Sequence, residues 1–396
     1  MNGVKLSIGR DGSAPKARPS RFTAAERTVS YTRFDVFGRH VVDILFMVHV
    51  YDVSHRSLTG LGLKEVAVHF GLSGKDRVYI EGSRIALEFD KNPDKVMRYA
   101  ADDVRETRAL SNMLSQSSFL QAGMFPYSYQ NVCVRGNATK IDALMIRNYI
   151  RQRQSIPLPE APRPFAGGYT DIFMEGIVEN VHHCDVRSLY PSLMLTRNLA
   201  PGKDKLGVFL ELLKILRTMR LHAKEKMIRS NNDADRDHYD ALQSTFKVLI
   251  NSFYGYLGFP QGHFCDFSAA ERVAADGREL LKFMINWIKK HGGKPVEIDT
   301  DGIYFVPPKE KDQTKFRKAF ADSLPEGIEV EFDGEYRSMY SYKSKNYALL
   351  SHDGEIVIKG AALKSRGLEP FQRRFMEEVI RLRLEKKDGK IAGLKK

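Results

Sequence analysis

Residues 295–308 read PVEIDTDGIYFVPP, and this run decides the fold class. Two β-prone segments flank Asp299, Thr300, Asp301 and Gly302, and Asp-Gly is a strong signal for a tight hairpin turn. Asp299 and Asp301 stand at i and i+2, so along a strand both side chains leave from one face. Two carboxylates aimed together repel unless a cation lies between them. The same DxDG pattern occurs in ordinary turns and in calcium loops. The EF-hand version needs further acidic ligands at fixed offsets, and these are missing here.

Upstream, GIVENVHHCDV at 176–186 reads as a strand that ends near Asp185, followed by Ser188, Leu189, Tyr190 and Pro191. A turn there would offer the backbone NH groups of Arg187 to Leu189 to an anion as a phosphate nest. Tyr190 would then pack beneath a ligand sugar ring; a tyrosine buried at a strand-to-helix corner is the plainer alternative. Between the two acidic segments lie helical patterns at 206–230, 236–257 and 269–291, with SNNDAD turning the first into an antiparallel second. Lys214, Arg217, Arg220 and Lys224 share one side of the first helix. On the second, Lys247, Asn251 and Tyr254 recur at i, i+4 and i+7. Such faces would clamp a triphosphate through charge-assisted hydrogen bonds. Tyr254 and Gly255 would leave a flat surface for a base pair, whereas a basic stripe by itself is also an ordinary solvated helix face.

Downstream, IEVEFDGEYRSMYSY at 328–342, YALLSH at 347–352 and EIVIKG at 355–360 read as strands, and 370–388 as a basic helix. Residues 1–155 read as a mainly helical region that opens with a loop. Its helical signals are HVVDILFMVHVY at 40–51, LKEVAVHFGL at 63–72 and the apolar spacing of 94–120. The linker SIPLPEAPRPFAGG at 155–168 carries four prolines and a glycine pair, which exclude regular structure.

A chain of 396 residues predicts two or three packed domains. Lys and Arg exceed Asp and Glu by 62 to 49, a formal charge of +13, which favours a polyanionic partner over a neutral one. No apolar run approaches the ~18 residues of a membrane span, so no membrane partner is expected. Cys133, Cys184 and Cys265 lack CxxC spacing, which points to neither a disulfide framework nor a zinc site and fits a reduced cytoplasmic compartment.

Taken together, DVRSLYPS at 185–192, KVLINSFYG at 247–255 and DTDG at 299–302 resemble motifs A, B and C of the family B DNA polymerases of bacterial and archaeal type, in that family's order. Smaller elements extend the resemblance: FAGGY at 165–169, IEVEFDG at 328–334, YKSKNYA at 342–348 and LKSRGLE at 363–369. The resemblance spans residues 30 to 396 and implies an α+β fold of right-hand architecture. In that scheme 1–155 is a partial RNase H-like 3′–5′ exonuclease remnant, 156–200 and 259–363 form a ferredoxin-like palm, 201–258 are two-helix antiparallel fingers and 364–396 start a helical thumb. Relative to the family the chain reads as truncated at both ends.

The resemblance also assigns roles. Asp185 and Asp301 would hold two Mg2+ ions, with Mn2+ as an alternative, and Asp299 would be the less essential third carboxylate. Ser188, Leu189, Tyr190, Arg220, Lys224, Lys247, Asn251 and Tyr254 would bind the deoxynucleoside triphosphate, Tyr190 as the steric gate against ribose. Gly167, Gly168, Lys343, Lys345, Tyr347 and Arg366 would contact primer-template DNA, although Ser344 replaces one lysine of the family's usual pair. Asp333, with Glu331 two residues earlier, would be a further palm carboxylate. Tyr99 and Asp103 in YAADD match the third exonuclease motif. The first two motifs are not found, Asp35 and Asp43 being poor substitutes, so no proofreading is expected. The implied function is DNA-directed DNA polymerisation in replication or repair, in a cytoplasmic, nucleoid-associated protein. The alternative is a binding subunit that needs a complementing polymerase subunit, and a sliding clamp is a further expected partner.

Overall fold

Two units divide the chain in the computed structural model, which describes residues 6–24, 27–55, 58, 60–309, 312–360 and 369–395. One unit comprises Met1–Ile156 with Ile215–Ser252, the other Pro157–Lys214 with Phe253–Lys396.

The first unit opens with an antiparallel pair, β1 (Lys16–Ala24) and β2 (Arg27–Asp35), in register from Lys16↔Asp35 to Ala24↔Arg27. This corrects the expectation of a loop at the start of a mainly helical region. The physical signal is a period of two: Phe22 and Ala24 turn inward to Phe46 while Arg21 and Thr23 face out. Seven helices follow: α1 (Ile44–His55), α2 (Leu63–His69), α3 (Ile85–Lys91), α4 (Pro93–Leu114), α5 (Gln116–Met124), α6 (Tyr129–Val134) and α7 (Asn137–Arg151). Asn92 caps α4 by accepting from the Lys95 backbone NH, and Pro93 occupies its first turn, where a missing NH costs nothing. Val48, Leu58, Val66 and Leu110 form the core that gathers α1, α2 and α4.

The linker at 155–168 has no regular structure. Beyond it the chain forms β3 (Thr170–Ile172), β4 (Gly176–Val186), α8 (Leu189–Thr196), α9 (Val208–Arg229), α10 (Asp233–Leu257), α11 (Phe267–Lys290), β5 (Lys294–Asp299), β6 (Gly302–Val306), α12 (Gln313–Asp322), β7 (Val330–Lys343), β8 (Asn346–Ser351), β9 (Ile356–Lys359) and α13 (Pro370–Leu384). The seven strands make one antiparallel sheet in the order β3-β5-β6-β4-β7-β8-β9. Within it, β4-α11-β5-β6-α12-β7 is a βαββαβ unit with its strands ordered as in ferredoxin-like folds.

One sheet face buries Cys184, Val186, Ile298, Ile303 and Phe305 against Leu281, Met284, Ile285 and Ile288 of α11 and Phe316 and Phe320 of α12. Each such side chain contributes about 1.5–3 kcal/mol. The other face packs Val178, Val181, Val296, Tyr304, Met339, Tyr347 and Leu349. Strands buried on both faces read as near-continuous apolar runs, as VHHCDV and GIYFV partly do. The stretch 201–258, read as one domain, is divided: the roots of α9 and α10 belong to the sheet unit, where the Phe209 ring lies 5.0 Å from Phe253 and 6.0 Å from Tyr256.

Candidate active site

The hairpin between β5 and β6 turns on two residues. Asp299 pairs with Gly302, and Thr300 adopts a left-handed conformation with φ of 67°, uncommon for a β-branched residue. The Asp301 NH donates to the Asp299 carbonyl at 2.8 Å. The Asp301 carbonyl accepts from the Val186 NH at 3.0 Å, which ties the turn to the end of β4. Asp185 lies opposite Gly302 in the register, so Asp185 and the DTDG turn sit on neighbouring strands. Burial pushes the Asp301 carboxyl up, and the nearby Asp299 pushes it further. A cation would relieve that repulsion.

Neighbouring groups fix this turn. The Tyr347 hydroxyl donates to Asp299 Oδ2 at 3.0 Å and lies 3.2 Å from the Tyr304 hydroxyl. His183, two residues before Asp185 on β4, sets Nδ1 2.6 Å from Asp333 Oδ1 and stacks on Tyr304 with ring centroids 4.2 Å apart. A Cβ at Gly302 would collide with His183 Nε2, so any other residue there would have to displace the His183 ring. Arg187 binds Glu329 at 2.6 Å and also pairs with Glu331. The further carboxylates Asp333 and Glu331 are thus engaged by His183 and Arg187.

Hard carboxylate oxygens on adjacent strands suit Mg2+, which is typically held by one or two carboxylates with substrate phosphates and water completing its shell. Among the described residues no three His, Cys, Asp or Glu side chains form a ready cage for a metal ion. The donor set around Asp185 and Asp301 fits the first pattern.

Tyr190 stands near Asp301. Its ring stacks on Tyr254 at 4.1 Å, and its hydroxyl is pushed up to about 12 by burial, then by Tyr254 and Asp301. A Cβ at Gly168 would stand 2.6 Å from the Tyr190 hydroxyl, so this glycine permits a close approach of the linker backbone. Arg278 of α11 holds that segment by donating to the carbonyls of Ala166 at 3.0 Å and Gly167 at 2.6 Å. Ser188, with φ of 52°, is left-handed and starts α8. The expected anion nest at 187–189 loses one donor, because the Arg187 NH already bonds the Glu329 carbonyl at 2.9 Å. Leu189 is buried in the sheet core, which leaves only its backbone for a ligand.

The expected phosphate-binding cations lie elsewhere in the fold. Arg220, Lys224, Lys247 and Asn251 belong to the helical unit, on the stretches of α9 and α10 from Ile215 to Ser252. Leu216 and Ala223 of α9 and Phe246, Leu249 and Ile250 of α10 are buried, while Lys224, Lys247 and Asn251 are exposed and Arg220 is half-buried. Lys343 and Lys345 are exposed at the β7–β8 turn. Tyr347, expected on the DNA, is only 2% exposed and faces Asp299, which corrects its reading from DNA contact to support of a carboxylate. Arg366 lies outside the described residues.

Tyr99 and Asp103 meet a different partner. Arg77, with its side chain 2% exposed, grips Glu106 by two bonds of 2.9 Å and Asp103 by one of 2.5 Å. The Arg77 guanidinium lies 5.5 Å from the Tyr99 ring centroid and 4.8 Å from that of Tyr79. Burial alone would lower the Arg77 pKa, but Glu106 and Asp103 outweigh it and raise it. Arg77, His183, Arg278 and Glu297 were not singled out by sequence reasoning. His183 and Glu297 carried a local signal, each standing two residues before Asp185 or Asp299 on one strand face.

With this geometry in place, the likenesses to known proteins become specific. Residues 202–394 match the model of DNA polymerase family B. A DNA polymerase of Pyrococcus glycovorans is 27% identical over 416 residues, covering 96% of this chain and 52% of that protein. DNA polymerase 1 of Pyrococcus abyssi is 24% identical, with the same coverage of 96% and 52%. In fold, the chain resembles the family B DNA polymerase of the hyperthermophilic archaeon Pyrobaculum calidifontis, with a TM-score of 0.67 at 22% identity over 98% of this chain and 53% of that one. The chain spans about half the length of the curated relatives it matches. Over nearly its whole length the chain is thus similar to family B DNA polymerases, and its residues 202–394 are the part that matches that family's model.

Proposed function

We propose that this chain is the nucleotidyl-transfer core of a DNA-directed DNA polymerase, adding deoxynucleotides to a primer 3′-hydroxyl on a template. The observation that carries the reading is the bond from the Val186 NH to the Asp301 carbonyl, which holds the turn bearing Asp301 against the end of β4, where Asp185 lies, with Tyr190 close to Asp301. In this reading the βαββαβ sheet is the palm (156–200 and 259–363), α9 and α10 are the fingers (201–258), 364–396 begins a thumb, and 1–155 is exonuclease-like.

Asp185 and Asp301 would hold the metal. Mg2+ bound there would supply Lewis acidity toward the primer hydroxyl and the leaving pyrophosphate. Asp299, held by Tyr347, keeps the anionic field of the site without being a principal ligand. Arg220, Lys224 and Lys247, with Asn251 assisting, neutralise charge that spreads over the transferred phosphates during in-line attack. Tyr190, which stacks on Tyr254 and lies close to Gly168, would act as the gate that bars a ribose 2′-hydroxyl. Exposed Lys343 and Lys345 contact the duplex backbone. The substrates are primer-template DNA and deoxynucleoside triphosphates, and no helix among the described residues is long and apolar enough to cross a membrane.

Primer extension with Mg2+ and the four deoxynucleoside triphosphates tests this reading. No extension by the wild-type protein, or equal extension by Asp301→Asn, would sink it. Tyr190→Ala should raise ribonucleotide incorporation, and unchanged sugar selectivity would remove the gate from Tyr190. Proofreading is proposed to be absent, because Arg77 already neutralises Asp103 and Glu106. A labelled mispaired primer should therefore stay intact without nucleotides.

A further inference from the structure

β5 carries a second carboxylate two residues before Asp299. Glu297 is 0% exposed; its Oε2 accepts from the Ser341 hydroxyl at 2.9 Å and its Oε1 from the Lys345 backbone NH at 2.8 Å. A buried carboxylate is costly unless hydrogen-bonded, and both donors here come from β7 and its turn into β8. Lys345 has φ of 61°, a left-handed conformation disfavoured for any residue with a Cβ. Gly360 closes the other side of the turn, where a Cβ would collide with the Lys345 carbonyl. Two residues on from Lys345, Tyr347 reaches Asp299. Glu297 and Asp299, on one face of β5, thus hold the two ends of a single turn whose Lys343 and Lys345 side chains are exposed.

We propose that Glu297 is a positioning residue that couples the basic Lys343–Lys345 turn to Asp299, so that grip on a duplex backbone and placement of the carboxylate are set together. The coupling rests on the polymerase reading given above. Strained backbone of this kind persists only where its surroundings over-determine it, and Glu297 and Gly360 supply that constraint from opposite sides. Glu297→Gln keeps an acceptor for the Lys345 NH and turns its amide toward the Ser341 oxygen as a donor. Glu297→Ala removes both contacts.

The test uses the full chain and three readouts: amide exchange at Lys345, affinity for a primer-template duplex without divalent metal, and the split between kcat and KM for DNA in extension. Glu297→Ala should expose the Lys345 amide and weaken duplex binding about tenfold, which is ~1.4 kcal/mol. Glu297→Gln should restore both, while Tyr347→Phe should lower kcat and leave duplex affinity unchanged. Unchanged Lys345 exchange and duplex affinity in Glu297→Ala would overturn the coupling while leaving the polymerase reading intact. Failure of the wild-type protein to bind duplex would overturn that reading, and the coupling with it. Equal losses in Glu297→Ala and Glu297→Gln would show that the role is charge rather than positioning, against the proposal.

Discussion

Two acidic clusters in this chain are built from the same residue types and solve opposite problems. In the sheet unit, Asp299 and Asp301 stand two residues apart and Asp301 is pushed up by burial and by its neighbour. In the helical unit, Asp103 and Glu106 stand three apart and are gripped by the buried guanidinium of Arg77. The hydrogen bonds of the first cluster come from neutral groups: Tyr347 on Asp299 and the Val186 NH on the Asp301 carbonyl. The Tyr347 hydroxyl orients the Asp299 carboxylate without cancelling its charge, so on the proposed reading the turn keeps a field that would draw a cation. The helical cluster carries its own cation and has become structure.

The two clusters should therefore respond oppositely to loss of one charge. Asp301→Asn removes repulsion, so folding stability should hold or rise while extension falls by about four orders of magnitude, ~5.5 kcal/mol of barrier. Paired urea titration and single-turnover extension read both quantities, and a stability loss matching the loss in rate would erase the contrast. Arg77→Met should do the reverse. It strands Glu106, 4% exposed at its side chain, and should cost about 4 kcal/mol in unfolding free energy. Replacing Arg77, Asp103 and Glu106 together by apolar residues of similar volume should recover most of that loss. A triple variant no more stable than Arg77→Met would show that the cluster does more than pair charge.

How far these clusters could be read in advance follows from the range of their interactions. The DTDG hairpin was legible because its turn chemistry and alternation are local, and Asp185 because an apolar strand ends there. The basic faces of α9 and α10 followed from helical spacing. The β1–β2 pair was missed, since short strands with outward Arg and Thr carry a weak alternation beside the strong helical signals that follow. Tyr347 was placed on the DNA because its burial depends on Asp299 and Tyr304, 48 and 43 residues away. Arg77 meets Asp103 across 26 residues, a pairing set by how α4 packs rather than by any local pattern. Local chemistry named the acidic groups, and tertiary partners decided which of them kept their charge.

Lys140 extends the comparison to a lone buried cation. It is 6% exposed on α7, donates to Gln121 Oε1 at 2.6 Å, and burial pushes its pKa down to about 8. From Gln121 the bonds run on to Ser117 and then to Thr245 of α10. Unlike Arg77, its hydrogen-bond acceptor here is a neutral amide. Between pH 8 and the ordinary lysine value near 10.4 the unfolded chain binds a proton that the native chain has released. Stability from this group therefore rises with pH across that window and is lowest below pH 8. The change approaches 1.4 kcal/mol per pH unit, about 3 kcal/mol in all. Lys140→Met also removes the bond to Gln121, so its stability at one pH is uninformative, but the pH slope isolates the proton. Urea titrations at several pH values from 7 to 10.5, run in a Cys133→Ala background because the Lys140 charge acts on that buried thiol, should show Lys140 gaining on Lys140→Met as pH rises, since titrations shared by both proteins cancel. Parallel curves would mean that the buried ammonium has found an acceptor as effective as the carboxylates around Arg77, and the contrast between the two cations would then fail.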